Sequence, residues 1–89
     1  MWRLVTVQNG VESVSTVPLL DDDDVAASLA ADVLLHRAGG WTVTEGDGVI
    51  VCRRFACKTR RGIPLPACER IIFARAYDPA RDGEPLSGV

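Results

Sequence analysis

The stretch that decides the fold is DDDDVAASLAADVLLHRAGG, residues 21–40. Its apolar residues recur with the period of about 3.6 that is typical of an amphipathic helix, and Gly39-Gly40 is expected to stop the helix near Ala38. One of the aspartates at residues 21–24 should cap the helix, and the others favour the positive end of its dipole. The apolar stripe of the helix is predicted to consist of Val25, Ala26, Leu29, Ala30, Val33 and Leu34.

Leu35 lies well off this stripe, beside Ser28 and Ala31 in the helical projection. A leucine in that position is expected to be exposed, and an exposed leucine is a candidate contact for another chain. We therefore predict Leu35 as a dimer contact.

Before the helix, the chain is predicted to form a β-hairpin. Residues 2–8 and 11–17 flank Asn9-Gly10, the strongest two-residue hairpin signal, because both turn positions tolerate positive φ. Both faces of this ribbon carry apolar residues, and such a ribbon is usually covered on both faces, which favours a partner chain. The predicted register sets Val5 opposite Val14 and Trp2 opposite Val17.

After the helix, a second hairpin and a further strand are predicted. Residues 41–45 and 49–55 flank the turn Gly46-Asp47-Gly48, and the last strand is expected at residues 69–77. With a centred loop, Cys52 faces Phe73, Phe55 faces Arg70 and Cys57 faces Cys68. The sheet face that receives the helix is then predicted to carry Trp41, Val43, Ile50, Cys52, Ile71 and Phe73.

The element order is therefore β-β-α-β-β-β, which predicts an α+β domain with one helix packed on an antiparallel sheet. At 89 residues, with 47% apolar and 25% charged residues, the chain has the size and composition of a single globular domain. We predict that this domain spans residues 1–77. Residues 78–89, which include two prolines and two glycines, are expected to form a flexible tail.

Charge is distributed unevenly along the chain. Residues 1–48 contain two bases and eight acids, whereas residues 49–89 contain eight bases and four acids. Such an asymmetry can steer a partner or pair two copies head to tail. The nine arginines against one lysine indicate a GC-rich coding genome.

Location is predicted from what the first residues lack. No continuous apolar stretch typical of a signal peptide is present at residues 1–17, and no run approaches the roughly 18 apolar residues of a membrane span. We therefore predict a cytoplasmic protein with reduced thiols and no membrane partner.

Residues 52–68 differ in composition from the rest of the chain. They contain all three cysteines and five of the ten basic residues, and they contain no carboxylate. Their middle, residues 53–65, is predicted to project as a basic arm with apolar side chains among the cations, a combination typical of binding hot spots. The residues predicted to bind the partner are Arg53, Arg54, Phe55, Lys58, Arg60, Arg61, Ile63 and Leu65.

The cysteines allow two other interpretations. With His36 they could supply four zinc ligands, but the spacing lacks a Cys-x-x-Cys pair and Cys52 is expected to point to the core, so we predict no metal site. Whether Cys57 and Cys68 form a disulfide stays open, because directly opposed cross-strand residues are close enough, while a reducing compartment opposes the bond.

No catalytic motif is found in the sequence. There is no paired-carboxylate motif, no metalloprotease motif and no nucleophile elbow, and Gly46-Asp47-Gly48 is too short for a phosphate loop. His36, the single histidine, is interpreted as a partly exposed cation near the helix C-terminus. We therefore predict that the protein is not an enzyme and that it uses no cofactor and no small-molecule substrate.

The sequence therefore predicts a small non-catalytic protein-interaction domain with an accessory or regulatory role. It is expected to self-associate as a homodimer and to contact its partner through the basic arm. The alternative is a nucleic-acid-binding protein that places the same basic β-ribbon on phosphates, as a two-stranded ribbon fits a DNA groove.

Overall fold

The computed structural model describes residues 1–14 and 20–83. The elements, in chain order, are β1 (Trp2–Gln8), β2 (Val11–Val14), α1 (Asp22–Ala38), β3 (Thr42–Gly46), β4 (Val49–Arg54), β5 (Cys57–Lys58), β6 (Pro64–Leu65), β7 (Cys68–Ala76) and α2 (Pro79–Asp82).

Five of the strands form one antiparallel sheet with the order β2-β1-β7-β4-β3. Helix α1 packs across one face of this sheet, so the predicted α+β class with one main helix is confirmed. Strands β5 and β6 pair only with each other and form a separate two-stranded ribbon. The sequence analysis predicted residues 53–65 as a projecting β-ribbon, but it did not count β5 and β6 as separate strands and did not predict the short helix α2.

The first hairpin turns at Asn9-Gly10 as predicted. Both residues have positive φ, 49° and 83°, as a tight two-residue turn of this kind requires. The predicted pairing of Val5 with Val14 is confirmed. Val17, the predicted partner of Trp2, lies outside the described residues.

Helix α1 begins and ends where the sequence predicts. Asp21 is the N-cap, and its side chain accepts a hydrogen bond of 2.8 Å from the backbone N–H of Asp24. After Ala38 the helix stops, and Gly40 turns the chain away with a φ of 83°. A capping side chain and a left-handed glycine therefore set the two ends of the element.

The side of α1 that faces the sheet is rotated from the predicted stripe. Val25, Leu29 and Val33 are buried or half-buried as expected, but Ala26, Ala30 and Leu34 are exposed. Their places toward the sheet are taken by residues that are less apolar. These inward residues are Ser28, Asp32 and His36.

The predicted register between β4 and β7 is wrong by three residues. Cys52 lies opposite Arg70 and Arg54 lies opposite Cys68, because the β5–β6 ribbon leaves the sheet directly after β4 and the connecting loop is not centred. A shift by an odd number of residues exchanges the two faces of a strand. Arg70 and Ile72 therefore face α1, while Ile71 and Phe73 face the other side.

The main core lies between α1 and this sheet face. Its buried members are Val33, Ile50, Cys52 and Ile72, and the half-buried Leu29, Trp41 and Val43 pack around them. On the opposite face Val5 is completely buried. Buried side chains therefore lie on both faces of the sheet and not only on the face that α1 covers.

Helix α2 is held against β7 and β2. Arg75 forms an ion pair with Asp82 at 2.5 Å, and Arg81 forms one with Glu12 at 2.7 Å. Residues 79–82 of the predicted flexible tail thus form a helical turn, while residues 84–89 lie outside the described residues. The described chain is elongated, with extents of 46 × 22 × 21 Å.

Candidate interaction site

The basic arm, residues 53–65, is a β-ribbon that continues beyond the sheet. Cys57 pairs with Leu65 and Lys58 with Pro64. At the tip, the Thr59 backbone N–H donates to the Ile63 carbonyl at 2.9 Å, and the Ile63 N–H donates to the Thr59 hydroxyl at 3.1 Å. Gly62 completes the turn with a φ of 78°. These local bonds give the tip a defined shape.

Five of the predicted contact residues project from this ribbon into solvent. Phe55 is 82% exposed and Ile63 is 56% exposed, which is unusual for side chains of this size. Lys58, Arg60 and Arg61 are exposed as well. In the part of the chain that the structure describes, no carboxylate lies within ion-pair distance of these three cations.

The other three predicted contact residues form the base of the arm. The Arg53 Nε donates to the Glu69 Oε2 at 2.9 Å. The Arg54 guanidinium lies 4.9 Å from the centre of the Trp41 ring, and its Nη2 donates to the Pro66 carbonyl at 3.1 Å. Leu65 is half-buried. These residues anchor the arm to the sheet and leave the projecting five to make contacts.

The cysteines do not come together. All three are free, with Cys52 and Cys68 buried and Cys57 exposed. The prediction that Cys57 faces Cys68 is wrong, because the pairing partners are Leu65 and Arg54. Among the described residues, no group of three or more histidine, cysteine or acidic side chains is placed to hold a metal ion.

An acidic end lies at the far end of the sheet from the arm. It consists of the exposed aspartates at residues 21–24 and a neighbouring groove of about 310 Å³ that contains Asp22 and Asp47. Mostly apolar residues line the groove, and a 2.7 Å hydrogen bond from the Trp2 Nε1 to Asp22 fixes one of its walls. The apolar lining comprises Trp2, Val25, Leu29, Val49, Phe73 and Ala74.

A polar cluster under the C-terminal half of α1 was missed by the sequence analysis. His36 is not the partly exposed cation that was predicted but is buried, at 8% exposure. It contacts Arg70, which alternates with Ile71 along β7 and was therefore expected on the sheet face away from the helix. The spacing of Asp32 and His36, one helical turn apart, is the one local signal that could have indicated a polar inner surface.

Leu35, the predicted dimer contact, is 69% exposed. Leu34 beside it is equally exposed, so the two leucines form an apolar patch on the outer side of α1. This patch lies near the C-terminal end of α1. The basic arm projects from the sheet at the same end of the molecule.

Comparison of the chain with protein-family models, with curated proteins and with solved structures finds no match. Within the described residues, no helix is both long enough and apolar enough to cross a membrane. The cytoplasmic location stays a prediction.

Proposed function

We propose that this protein is a non-catalytic interaction domain that forms a homodimer, in which the basic arm of each copy docks on the acidic end of the other. The observation that carries the proposal is the complementarity between these two surfaces. One projects apolar side chains among unpaired cations, and the other presents an apolar groove among carboxylates.

The apolar parts of the two surfaces match in kind. Removing an aromatic or branched aliphatic side chain from water contributes about 1.5–3 kcal/mol, and Phe55 and Ile63 are both largely in water in the single chain. The groove of about 310 Å³ at the acidic end is large enough to receive such a side chain. Docking would bury the apolar surfaces of both copies together.

The charged parts match in sign. Lys58, Arg60 and Arg61 surround the apolar side chains of the arm, while the aspartates at residues 21–24 and Asp47 surround the groove. Complementary charges at the rim of an interface speed association and select the partner more than they add affinity. Because two arms carry like charges and repel each other, each arm is expected to contact the acidic end of the partner and not the partner's arm.

The position of the two surfaces favours antiparallel pairing. The arm projects from the end of the sheet where β4 stops and β7 begins, whereas the acidic end adjoins Trp2, which pairs with Ala76 at the other end of β7. Two copies that lie antiparallel can make both contacts at once and close a symmetric dimer. The patch of Leu34 and Leu35 is the second contact that we assign to this dimer.

Reciprocal charge reversal tests the proposal. Wild type should scatter light with about twice the 9.6 kDa monomer mass. One variant reverses the arm (Lys58→Glu, Arg60→Glu and Arg61→Glu) and the other reverses the acidic end (Asp22→Lys and Asp47→Lys). Each variant alone should be monomeric, because like charges then face each other, and their equimolar mixture should recover the dimer mass.

Arg37→Glu is the matched control, since Arg37 is an exposed cation outside the arm that pairs with Glu45 at 3.5 Å. It should leave the dimer intact. A monomeric wild type would contradict self-association. A dimer that survives arm reversal would show that the arm is not the contact.

A second candidate function, nucleic-acid binding, rests on the three unpaired cations of the arm. Because Arg53 is paired with Glu69 and Arg54 is engaged at the arm's base, the logarithm of the binding constant should fall with the logarithm of salt with a slope no steeper than about −3. We expect no binding of duplex or single strands even at about 50 mM salt, where electrostatic association is strong. Binding that the arm-reversed variant loses would favour this candidate over the homodimer.

A further inference from the structure

A groove of about 470 Å³ lies between α1 and the first hairpin and is here called the hairpin groove. It is separate from the basic arm and from the acidic end. Leu4 and Ile72 form an apolar part of its floor, while Arg70, Asp32 and His36 contribute charged or titratable groups. A cavity that combines an apolar floor with a few converging polar groups is the usual form of a ligand site.

Arg70 is a cation in this groove that neutral groups hold in place. Its Nε and Nη2 donate to the Gln8 side-chain oxygen at 3.2 and 2.9 Å, and its Nη1 lies 2.8 Å from the His36 Nε2. Within the described residues no carboxylate is close enough to form an ion pair with it. Its position is therefore fixed while its charge is not neutralised by contact.

His36 and Trp41 fix the plane of this guanidinium. The Nδ1 of His36 donates to the Asp32 carbonyl at 2.7 Å, so its Nε2 is free to accept from Arg70, which can only donate. The Trp41 ring lies 4.8 Å from the guanidinium carbon. Of the five N–H groups of an arginine, two remain, one on each terminal nitrogen, so both terminal nitrogens of Arg70 can still donate to a carboxylate.

Asp32 lies in the same groove, on the wall formed by α1. Its side chain makes no hydrogen bond within the described residues. Partial burial raises the pKa of its carboxyl group, although the positive charge of Arg70 opposes that rise. A simple anion bound at Arg70 would be repelled by an ionised Asp32, whereas a ligand with its own cation would compensate it.

We propose that the hairpin groove binds a small zwitterion of the α-amino acid class, whose carboxylate contacts Arg70 and whose ammonium contacts Asp32. The apolar floor of Leu4 and Ile72 receives the side chain of the ligand. This proposal does not depend on the homodimer, because it uses none of the residues of the arm or of the acidic end.

Titration with a ligand and its two halves tests the site. The probes are L-leucine, 4-methylpentanoate, which lacks the amino group, and isoamylamine, which lacks the carboxylate. The signals followed by NMR are the indole N–H of Trp41 and the side-chain N–H groups of Arg70. Leucine should shift them at millimolar concentration, with an affinity at least about tenfold above that of either half, because each half makes only one of the two charged contacts.

Asp32→Asn provides the decisive variant, because it leaves the contacts of Arg70 intact. The substitution removes the negative charge that pairs with the ammonium group of leucine, so leucine should bind more weakly than in wild type. It also removes the charge that repels the ligand carboxylate, so 4-methylpentanoate should bind more tightly. Arg70→Gln should lose both carboxylate ligands, with its fold checked by thermal unfolding. Arg53→Gln, which changes an exposed arginine outside the groove, should bind as wild type does.

Two results would overturn the proposal. One is the absence of shifts at Trp41 and Arg70 with leucine up to about 10 mM, a concentration that detects even weak millimolar binding. The other is a set of affinities for leucine and 4-methylpentanoate that Asp32→Asn leaves unchanged. A failure of the homodimer to form would alter neither result.

Discussion

Cys52 lies at the centre of the contact between helix and sheet. Its side chain has no solvent exposure and packs with Val33, Ile50 and Ile72, and burial raises the pKa of its thiol. We expect Cys52→Asp to unfold the domain, because an unpaired buried carboxylate costs several kcal/mol or must be protonated. Chemical denaturation followed by circular dichroism measures the loss.

Cys57 provides the matched control for this substitution. It is exposed on the arm, so Cys57→Asp should change the free energy of unfolding by less than about 0.5 kcal/mol. A Cys52→Asp protein that unfolds as cooperatively as the Cys57→Asp protein, and at the same denaturant concentration, would contradict the packing described for this face of the sheet.

At the scale of the element, α1 depends on the cap at its start. The Asp21 side chain accepts from the Asp24 N–H at 2.8 Å, which satisfies a backbone donor that the helix itself cannot pair. Asp21→Ala should therefore lower the free energy of unfolding by about 1 kcal/mol. The measurement is equilibrium urea unfolding of the two proteins.

Asp21→Asn separates capping from charge in this experiment. Asparagine caps helices about as well as aspartate, so this variant should keep most of the stability that alanine loses. Equal losses in the two variants would show that the negative charge, and not the hydrogen bond, is what stabilises the start of the helix.

The strands divide into those set by local turns and those set by distant contacts. The two hairpins turn where the sequence predicts, because Asn9-Gly10 and Asp47-Gly48 adopt the positive φ values that close a tight turn. Gly46, which was predicted as part of the second turn, pairs with Val49 at the end of β3. The arm lies between β4 and β7 in the chain, so the register of these two strands depends on where the arm begins and where it ends. No local sequence signal marks these two points. That register was accordingly predicted wrongly, with the face of β7 inverted.

At the scale of the whole molecule, α2 holds the end of the described chain against the sheet through Asp82. The Asp82 carboxylate accepts from Arg75 at 3.0 and 2.5 Å, and this hydrogen bonding holds its pKa below the ordinary value of 3.8. A carboxyl group with a lowered pKa in the folded state stabilises the fold above its unfolded pKa. That contribution is lost as the pH falls below about 3.8 and through the folded value.

Asp82→Asn should therefore be less stable than wild type at neutral pH. The difference in the free energy of unfolding between the two proteins should shrink as the pH falls below about 3.8. The measurement is the midpoint of urea unfolding as a function of pH. Glu45→Gln is the control, because the Arg37–Glu45 pair is more than half exposed on both sides and such pairs contribute little. A difference between Asp82→Asn and wild type that stays constant with pH would exclude this role for Asp82.

The elongated shape also separates the two surfaces of the proposed dimer. Because the arm extends the sheet at one end and the acidic start of α1 lies at the other, the two oppositely charged surfaces lie at opposite ends of the sheet. The sequence predicts the asymmetry of charge. Only the course of the strands shows that the two charges lie at opposite ends.

The sequence by itself determined the features that depend on neighbouring residues. These are the limits of α1, the positions of both hairpin turns, the register of Val5 with Val14, the α+β class, and the exposure of Leu35. Each follows from backbone preferences or side-chain periodicity over a few residues, which act in the same way wherever the segment lies in the fold.

Only the tertiary structure decided which distant residues meet. Arg70 contacts Gln8 and His36, which are 62 and 34 residues away in the chain, and Asp32 joins them because α1 is rotated from its apolar stripe. The hydrogen bonds of a half-buried arginine and a buried histidine outweighed the burial of Ala26, Ala30 and Leu34. Such a balance depends on the partners that the fold supplies, since a buried polar group is costly without them and tolerated with them.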